Sequence, residues 1–208
     1  MVMPNNEMKQ WINGKYLKNE TINKLKNTFR KNRPYPYLEL KDFLNEEKAK
    51  GLLLALSKER FYPKEADLFS FFQTNDIASS KNKILLEFRE FLASEGFISY
   101  MENLTGLKLG RGKIDLAGSL YRNTNYLLCH DDELEGRSIA FLLYLSTLDG
   151  KDGGSLNLMD GKLKTTKKLI PGFNTFTFFQ VSKISFHEVE EVVNDKQRIA
   201  LGGWLHDK

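Results

Sequence analysis

The chain has 208 residues, of which 41% are hydrophobic and 28% are charged, and its formal net charge is +4. This length and composition are ordinary for one folded domain and leave little room for a second. A single cysteine, Cys129, excludes a disulfide-rich secreted domain, and the mild positive charge does not by itself indicate nucleic-acid binding.

The amino-terminal stretch Met1-Val2-Met3-Pro4-Asn5-Asn6-Glu7 has no basic segment followed by an apolar run, as a signal peptide would have. No window of the sequence approaches the roughly 18 uncharged apolar residues of a membrane span. We therefore expect an intracellular protein, cytoplasmic or nuclear, in a reducing compartment.

Residues 1–109 are predicted to be mainly helical. A polar, basic helix is expected over 21–32, and Pro34 and Pro36 then favour an extended segment over 35–40. Asn45 is a candidate N-cap for a helix that continues to about residue 58.

A further helix is predicted after Ser80, which we take as its N-cap. Its apolar residues recur at helical spacing, and the same spacing continues after Gly96. These apolar residues are Ile84, Leu85, Phe88, Phe91 and Leu92.

The pattern changes near Gly110, after which short β-rich runs alternate with turn residues. Strands are predicted near 113–122, 126–130, 137–146, 155–158, 163–170, 175–180, 185–193 and 197–205. Eight short strands after a helical block predict an α+β fold, a double-stranded β-helix (jelly roll) with N-terminal supporting helices. Residues 110–208 would form its core.

His130 and Asp132 are candidate metal ligands because residues two apart on an extended chain point to the same face, while Asp131 points away. An isolated His-x-Asp is weak evidence, since a solvated loop histidine beside acidic residues has the same sequence. His187 would complete a set of two histidines and one carboxylate, the facial triad of non-haem Fe(II) oxygenases. The alternative for His187 is a structural histidine in a strand, with its ring nitrogens hydrogen-bonded to a neighbouring residue.

Arg198 lies eleven residues after His187 and shares one strand face with Ala200, Gly202 and Trp204. An arginine on the inner face of a barrel would be a costly buried charge unless an anion accompanied it. A dicarboxylate could supply that anion through a bidentate pair with the guanidinium. The alternative is a surface ion pair on an edge strand.

The sequence LLCHDDELEGRSIAF at 127–141 closely resembles the prolyl hydroxylases that act on a decoding-centre protein of the small ribosomal subunit. Further matches are SFH at 185–187, GWLH at 203–206, FSFFQTND at 69–76 and PYL at 36–38, so the resemblance covers about residues 34–207. The run around His130 is specific, whereas His-x-Asp, His and Arg alone would identify only the superfamily.

The resemblance implies roles for particular residues and an activity. His130, Asp132 and His187 would bind Fe(II), and Arg198 would bind the distal carboxylate of 2-oxoglutarate. The cofactors would be Fe(II), 2-oxoglutarate and O2, with ascorbate as reductant, and the substrate would be a prolyl residue of a basic ribosomal protein.

The remaining implied contacts involve aromatic and charged residues. Tyr121 and Tyr144 would line the co-substrate pocket, although core packing explains most aromatic residues equally well. Trp204, Glu133, Glu135 and Arg137 are expected to contact the substrate.

The sequence departs from the resembled family in two respects. Fungal and animal relatives carry a second, non-catalytic barrel, whereas we expect a single oxygenase domain over 1–208, which puts the protein substrate in doubt. Position 200 is Ala, where many members have a hydroxyl residue that assists the carboxylate contact.

Two charge patterns bear on partners. Acidic residues follow both histidines, and we expect an acidic rim that attracts a basic polypeptide, or else a solvated rim without a partner. These residues are Asp131, Glu133, Glu135, Glu188, Glu190 and Glu191. The basic run Lys24, Lys26, Arg30, Lys31 and Arg33 could contact RNA, but such a run is more commonly the wet face of a helix.

Two other functions remain open at this point. One is a related 2-oxoglutarate oxygenase that acts on another protein or on nucleic acid. The other is a non-catalytic binding module, against which the four intact residues His130, Asp132, His187 and Arg198 argue.

Overall fold

The structure is a computed structural model that describes residues 6–207, in which helices cover one part of a large antiparallel sheet. The five α-helices of the described residues are α1 (Asn6–Trp11), α2 (Asn19–Lys31), α3 (Glu46–Leu56), α4 (Lys83–Ala93) and α5 (Glu95–Thr105), and two short 3-10 helices span Gly14–Leu17 and Ile77–Ser79. The amino-terminal stretch assessed for a signal peptide begins outside the described residues. No helix within 6–207 has the length and apolar character needed to cross a membrane.

The described residues also form eleven strands. They are β1 (Tyr37–Lys41), β2 (Tyr62–Ala66), β3 (Phe69–Gln73), β4 (Ile114–Tyr121), β5 (Tyr126–His130), β6 (Arg137–Tyr144), β7 (Leu156–Met159), β8 (Thr165–Leu169), β9 (Thr175–Gln180), β10 (His187–Val189) and β11 (Arg198–His206). All eight predicted strands are present, although β10 is shorter than expected. The predicted double-stranded β-helix fold is confirmed.

The strands pair in the order β1-β9-β6-β11-β4-β3-β5-β10-β7-β8, and β2 pairs with β3. β3 pairs with β4 through Phe72 and Gln73 and with β5 through Phe69 and Ser70. It therefore joins the two halves of the sheet, which curves into a nearly closed barrel.

Alternation along the strands creates two cores. Residues such as Phe141, Phe176 and Leu201 point outward and pack with the helices in the larger cluster. Residues such as Tyr121, Ala140 and Phe179 point into the barrel and form a smaller cluster. Because successive side chains of a strand point to opposite faces, a single strand contributes to both cores.

The hairpin of β2 and β3 was not predicted, because neither strand shows alternation. β2 is almost entirely exposed beyond Tyr62, and every residue of β3 is partly exposed. A half-covered hairpin therefore lacks the period-two pattern by which a strand is recognised. Its inclusion means that residues 1–109 contribute strands as well as helices.

The predicted N-cap of α4, Ser80, is wrong. The cap is Asn82, whose side chain accepts a hydrogen bond from the Ile84 amide at 3.2 Å. Ser80 instead accepts from the Asn82 amide and donates to Glu59. Asn45 does precede α3, but its side chain donates to backbone carbonyls of α1 rather than capping α3.

Candidate active site

Two histidines face each other where β5 ends and β10 begins. His130 and His187 are register partners in the antiparallel pair, and their ring centroids lie 4.2 Å apart. Asp132 completes the cluster: its Oδ1 lies 3.5 Å from His130 Nε2 and its Oδ2 lies 3.4 Å from His187 Nε2. The candidate ligand atoms of the three residues lie within 4.8 Å of one another, as a shared metal ion requires.

The backbone turns sharply at Asp132, which has φ of 63° in the left-handed region. Aspartate is one of the few residues that adopt this conformation readily. The prediction assumed that the extended chain continued from His130 through Asp132, and in this respect it is wrong. The turn, rather than strand alternation, brings the carboxylate to the histidines.

Both imidazole rings are oriented by backbone carbonyls. His130 Nδ1 lies 2.9 Å from the Leu128 carbonyl oxygen, and His187 Nδ1 lies 2.8 Å from that of Ser185. A carbonyl oxygen can only accept, so each Nδ1 donates and each Nε2 is left facing Asp132. Two imidazole nitrogens and one carboxylate then share one side of the cluster, which fits Fe(II) with open coordination positions.

Charge within the cluster favours the ionised carboxylate. Burial raises the pKa of Asp132, but hydrogen bonds and charge interactions with His130 and His187 outweigh it and hold the pKa well below its usual range. A cation between the three residues would act in the same direction. The carboxylate is therefore in the form that binds a metal.

Arg198 begins β11 and is almost completely buried, at 1% exposure. Its Nε donates to the Gly154 carbonyl at 2.9 Å, and its Nη2 donates to the Tyr144 hydroxyl at 3.5 Å. The Tyr121 ring centroid lies 4.9 Å from the guanidinium carbon. Among residues 6–207 no acidic side chain forms an ion pair with this guanidinium, so the site fits an exogenous carboxylate.

A cavity of about 430 Å³ connects Arg198 with the three candidate metal ligands. Tyr121 lines it, while Leu127, Leu156 and Val189 give it an apolar wall. Tyr144, also expected to line the pocket, does not line this cavity; it is fully buried and contacts Arg198 through its hydroxyl. The size and lining are those of a small-molecule site with a few oriented polar groups.

Trp204 forms the wall of the cavity near the candidate metal ligands, with its indole Nε1 buried and unpaired among the described residues. Arg137 stacks on this ring at 3.5 Å from its centroid, and its Nη1 lies 3.9 Å from Asp132 Oδ1. Arg137 thus lies between the tryptophan and the carboxylate rather than on the cavity surface.

The predicted acidic rim is divided between two places. Glu133 and Glu135 are exposed on the turn after Asp132 and do not line the cavity. Glu190 forms an ion pair with Lys168 at 2.8 Å and, with Glu188, accepts from Asn157. Any contact of the exposed glutamates with a substrate would therefore lie outside the cavity.

Sequence reasoning missed a buried support behind His187. Tyr35 donates its hydroxyl to the Phe186 carbonyl at 2.9 Å and packs against Phe179, whose ring lies 4.7 Å from the His187 ring. Phe71 was missed in the same way and stacks on Tyr121 at 4.9 Å. Phe71 stands in the stretch 69–76 that resembles the hydroxylases, and Tyr35 stands just before the stretch 36–38, which was the only available signal.

Comparison with known proteins finds similarity to 2-oxoglutarate oxygenases. The family described as the 2OG-Fe(II) oxygenase superfamily matches residues 116–206, which contain the candidate ligands and Arg198. The chain is 40% identical over 179 residues to the prolyl 3-hydroxylase OGFOD1 of Xenopus laevis, covering 83% of this chain and 34% of that protein. It is 34% identical over 197 residues to the prolyl 3,4-dihydroxylase OGFOD1 of Ostreococcus tauri, covering 84% and 38%.

The chain thus spans about a third of the length of these curated relatives. Among solved structures, a prolyl-4-hydroxylase of Pseudomonas putida superposes with a TM-score of 0.73 at 16% identity, over 88% of this chain and 99% of that one. A prolyl hydroxylase of Trichoplax adhaerens, in complex with a hypoxia inducible factor peptide, gives 0.71 at 16% identity, over 91% and 94%. At these identities the superpositions establish a shared fold.

Proposed function

We propose that the chain is a 2-oxoglutarate-dependent dioxygenase of the 2OG-Fe(II) oxygenase superfamily that hydroxylates a prolyl residue of a protein. The observation that carries the proposal is the meeting of His130, Asp132, His187 and Arg198 on one cavity. The similarity to named prolyl hydroxylases supports the choice of residue modified.

His130, Asp132 and His187 would hold Fe(II), and the Arg198 guanidinium would bind the distal carboxylate of 2-oxoglutarate. When bound, the iron and 2-oxoglutarate supply the oxidising power with which O2 hydroxylates an unactivated carbon. Ascorbate would serve as the reductant that keeps the iron ferrous.

The protein contributes orientation and exclusion of water. Carbonyls of Leu128 and Ser185 fix the two imidazole rings. The apolar wall reduces contact with water and would strengthen the attraction between the guanidinium and a bound carboxylate. Trp204 lines the cavity near the ligands, where a prolyl ring could pack on its aromatic surface and a substrate carbonyl could accept from its indole N–H.

For the substrate we propose a basic protein of the small ribosomal subunit. The exposed Glu133 and Glu135, which follow the cavity-lining Asp132 in the chain, support this choice, because acidic side chains attract a basic peptide and raise its association rate. RNA contact remains a prediction; the basic run lies on α2 and its carboxy-terminal end, and Arg33 donates to three carbonyls there.

The test incubates the purified chain with Fe(II), ascorbate and 2-oxoglutarate, with and without a proline-containing peptide from the ribosomal decoding-centre protein. We expect a peptide mass gain of one oxygen atom with matched succinate, and loss of both products in His130→Ala. Succinate without peptide oxidation would retain the oxygenase and reject this substrate. Failure to bind iron would reject the proposed function.

The acidic turn is tested with Glu133→Lys combined with Glu135→Lys. We expect a higher KM for a basic peptide and an unchanged affinity for 2-oxoglutarate. Reversal of Glu46 and Glu47, exposed on α3 in the helical layer, is the matched control. An unchanged KM in the turn variant would remove these glutamates from substrate recognition.

A further inference from the structure

Ser119 is a polar residue in the middle of β4 whose hydroxyl has no evident use in the fold. The residue lines the cavity with Ala117 and Tyr121, its neighbours on the inner face of the strand. Its Oγ is buried and has no hydrogen-bond partner among the described residues. Buried polar groups normally have a hydrogen-bond partner, because an unpaired group has lost its hydrogen bonds to water without replacing them, which destabilises the folded state.

The strand register places Ser119 close to Arg198 along the inner face of the barrel. Arg198 is the partner of Tyr121 on β4, and Ala200 is the partner of Ser119. All four residues belong to the inner face. The pair Ser119–Ala200 is the next inner-face pair after Tyr121–Arg198, in the direction of the candidate metal ligands. A carboxylate bound by Arg198 would therefore lie within reach of the Ser119 side chain.

We propose that Ser119 donates a hydrogen bond to the distal carboxylate of 2-oxoglutarate, next to the contact made by Arg198; this rests on the proposed function. Rotation about Cα–Cβ moves a serine hydroxyl between staggered positions, so Oγ is not confined to its unpaired position. A carboxylate has lone pairs beyond those that one guanidinium occupies, and it would satisfy the hydroxyl.

Ala200 gives the proposal a specific test. Cβ atoms of directly opposed residues in an antiparallel pair are about 4.5–5.5 Å apart, so a hydroxyl at either position can reach the same small region. This chain has the hydroxyl on β4 and a methyl group on β11. Moving the hydroxyl from position 119 to position 200 should preserve 2-oxoglutarate binding. If Ser119 served only in packing, the added hydroxyl at position 200 would not restore binding.

The experiment measures 2-oxoglutarate binding to the full chain by anaerobic calorimetry in the presence of Mn(II). We expect Ser119→Ala to weaken binding by about tenfold or more, the effect of losing one hydrogen bond to a charged group. The double variant Ser119→Ala with Ala200→Ser should recover most of that loss. Oxalate, which has no distal carboxylate, should bind the wild type and Ser119→Ala equally.

Thr177→Val is the matched control, since Thr177 is a buried β9 residue with an equally unpaired hydroxyl that does not line the cavity. It should leave 2-oxoglutarate affinity unchanged. Wild-type affinity in Ser119→Ala would overturn the inference while leaving the proposed function intact. Loss of oxalate affinity in Ser119→Ala, or failure of the double variant to recover, would assign Ser119 to packing and also overturn it. Absence of 2-oxoglutarate binding in the wild type would reject both proposals.

Discussion

Replacing Arg198 with methionine should separate ligand binding from folding. The substitution removes two hydrogen bonds, to Gly154 and Tyr144, worth about 1 kcal/mol each. It also removes a buried charge that no described acidic residue neutralises, and burying such a charge costs several kcal/mol. We therefore expect the free energy of unfolding without 2-oxoglutarate to be unchanged, or to rise by about 1–3 kcal/mol.

The ligand should stabilise only the wild type. At a concentration one hundred times its Kd, a ligand that binds the folded state adds about 2.7 kcal/mol. For a chain of this length, that corresponds to a rise in Tm of about 5–10 °C. Arg198→Met should show almost no rise, because the distal carboxylate would enter an apolar cavity without a counter-charge.

Thermal unfolding of both proteins, with Mn(II) and with increasing 2-oxoglutarate, provides the assay. Arg198→Lys is the matched control: it keeps the charge but loses the planar fork, and should give an intermediate rise. Two results would refute the reasoning. One is a large loss of stability in ligand-free Arg198→Met, and the other is an equal response of both proteins to 2-oxoglutarate.

Two smaller predictions concern the support of the site. Tyr35→Phe removes the hydrogen bond to the Phe186 carbonyl and should lower the free energy of unfolding by about 1 kcal/mol, seen as a fall in Tm of about 2–4 °C, with weaker Mn(II) binding measured by calorimetry. Gly203→Ala should prevent folding, since its Cβ would overlap the Asp115 carbonyl, whereas Gly14→Ala meets no atom within 4 Å and should express normally; soluble, folded Gly203→Ala by circular dichroism would contradict this.

The sequence predicted those parts of the fold that carry a repeating pattern. The eight carboxy-terminal strands were found because turn residues separate short β-rich runs, and α4 was found from its apolar spacing. The hairpin β2–β3 was missed because β2 is mostly exposed and every residue of β3 is partly exposed, so neither strand alternates. A pattern of burial cannot reveal an element whose residues are not distinctly buried.

Some residues of the candidate site could likewise be identified from the sequence, whereas others could not. His130, Asp132 and His187 could be grouped because few residue types bind iron and the chain has only three histidines. The left-handed turn at Asp132 could not be predicted, since it depends on the local backbone rather than on residue type. Ser119 could not be identified either, because an unpaired hydroxyl is a property of its surroundings.

The helices support only part of the barrel, and this affects local unfolding. The large core cluster draws on β1, β9, β6, β11 and β4, and it contains no residue of β5, β7, β8 or β10. Backbone amides of the latter strands should therefore exchange with deuterium earlier than those of β6 or β11. His130 and His187 stand on two of these less supported strands. A metal bound by both would link β5 to β10 and stabilise the pair, and deuterium exchange of their amides should slow when the metal binds.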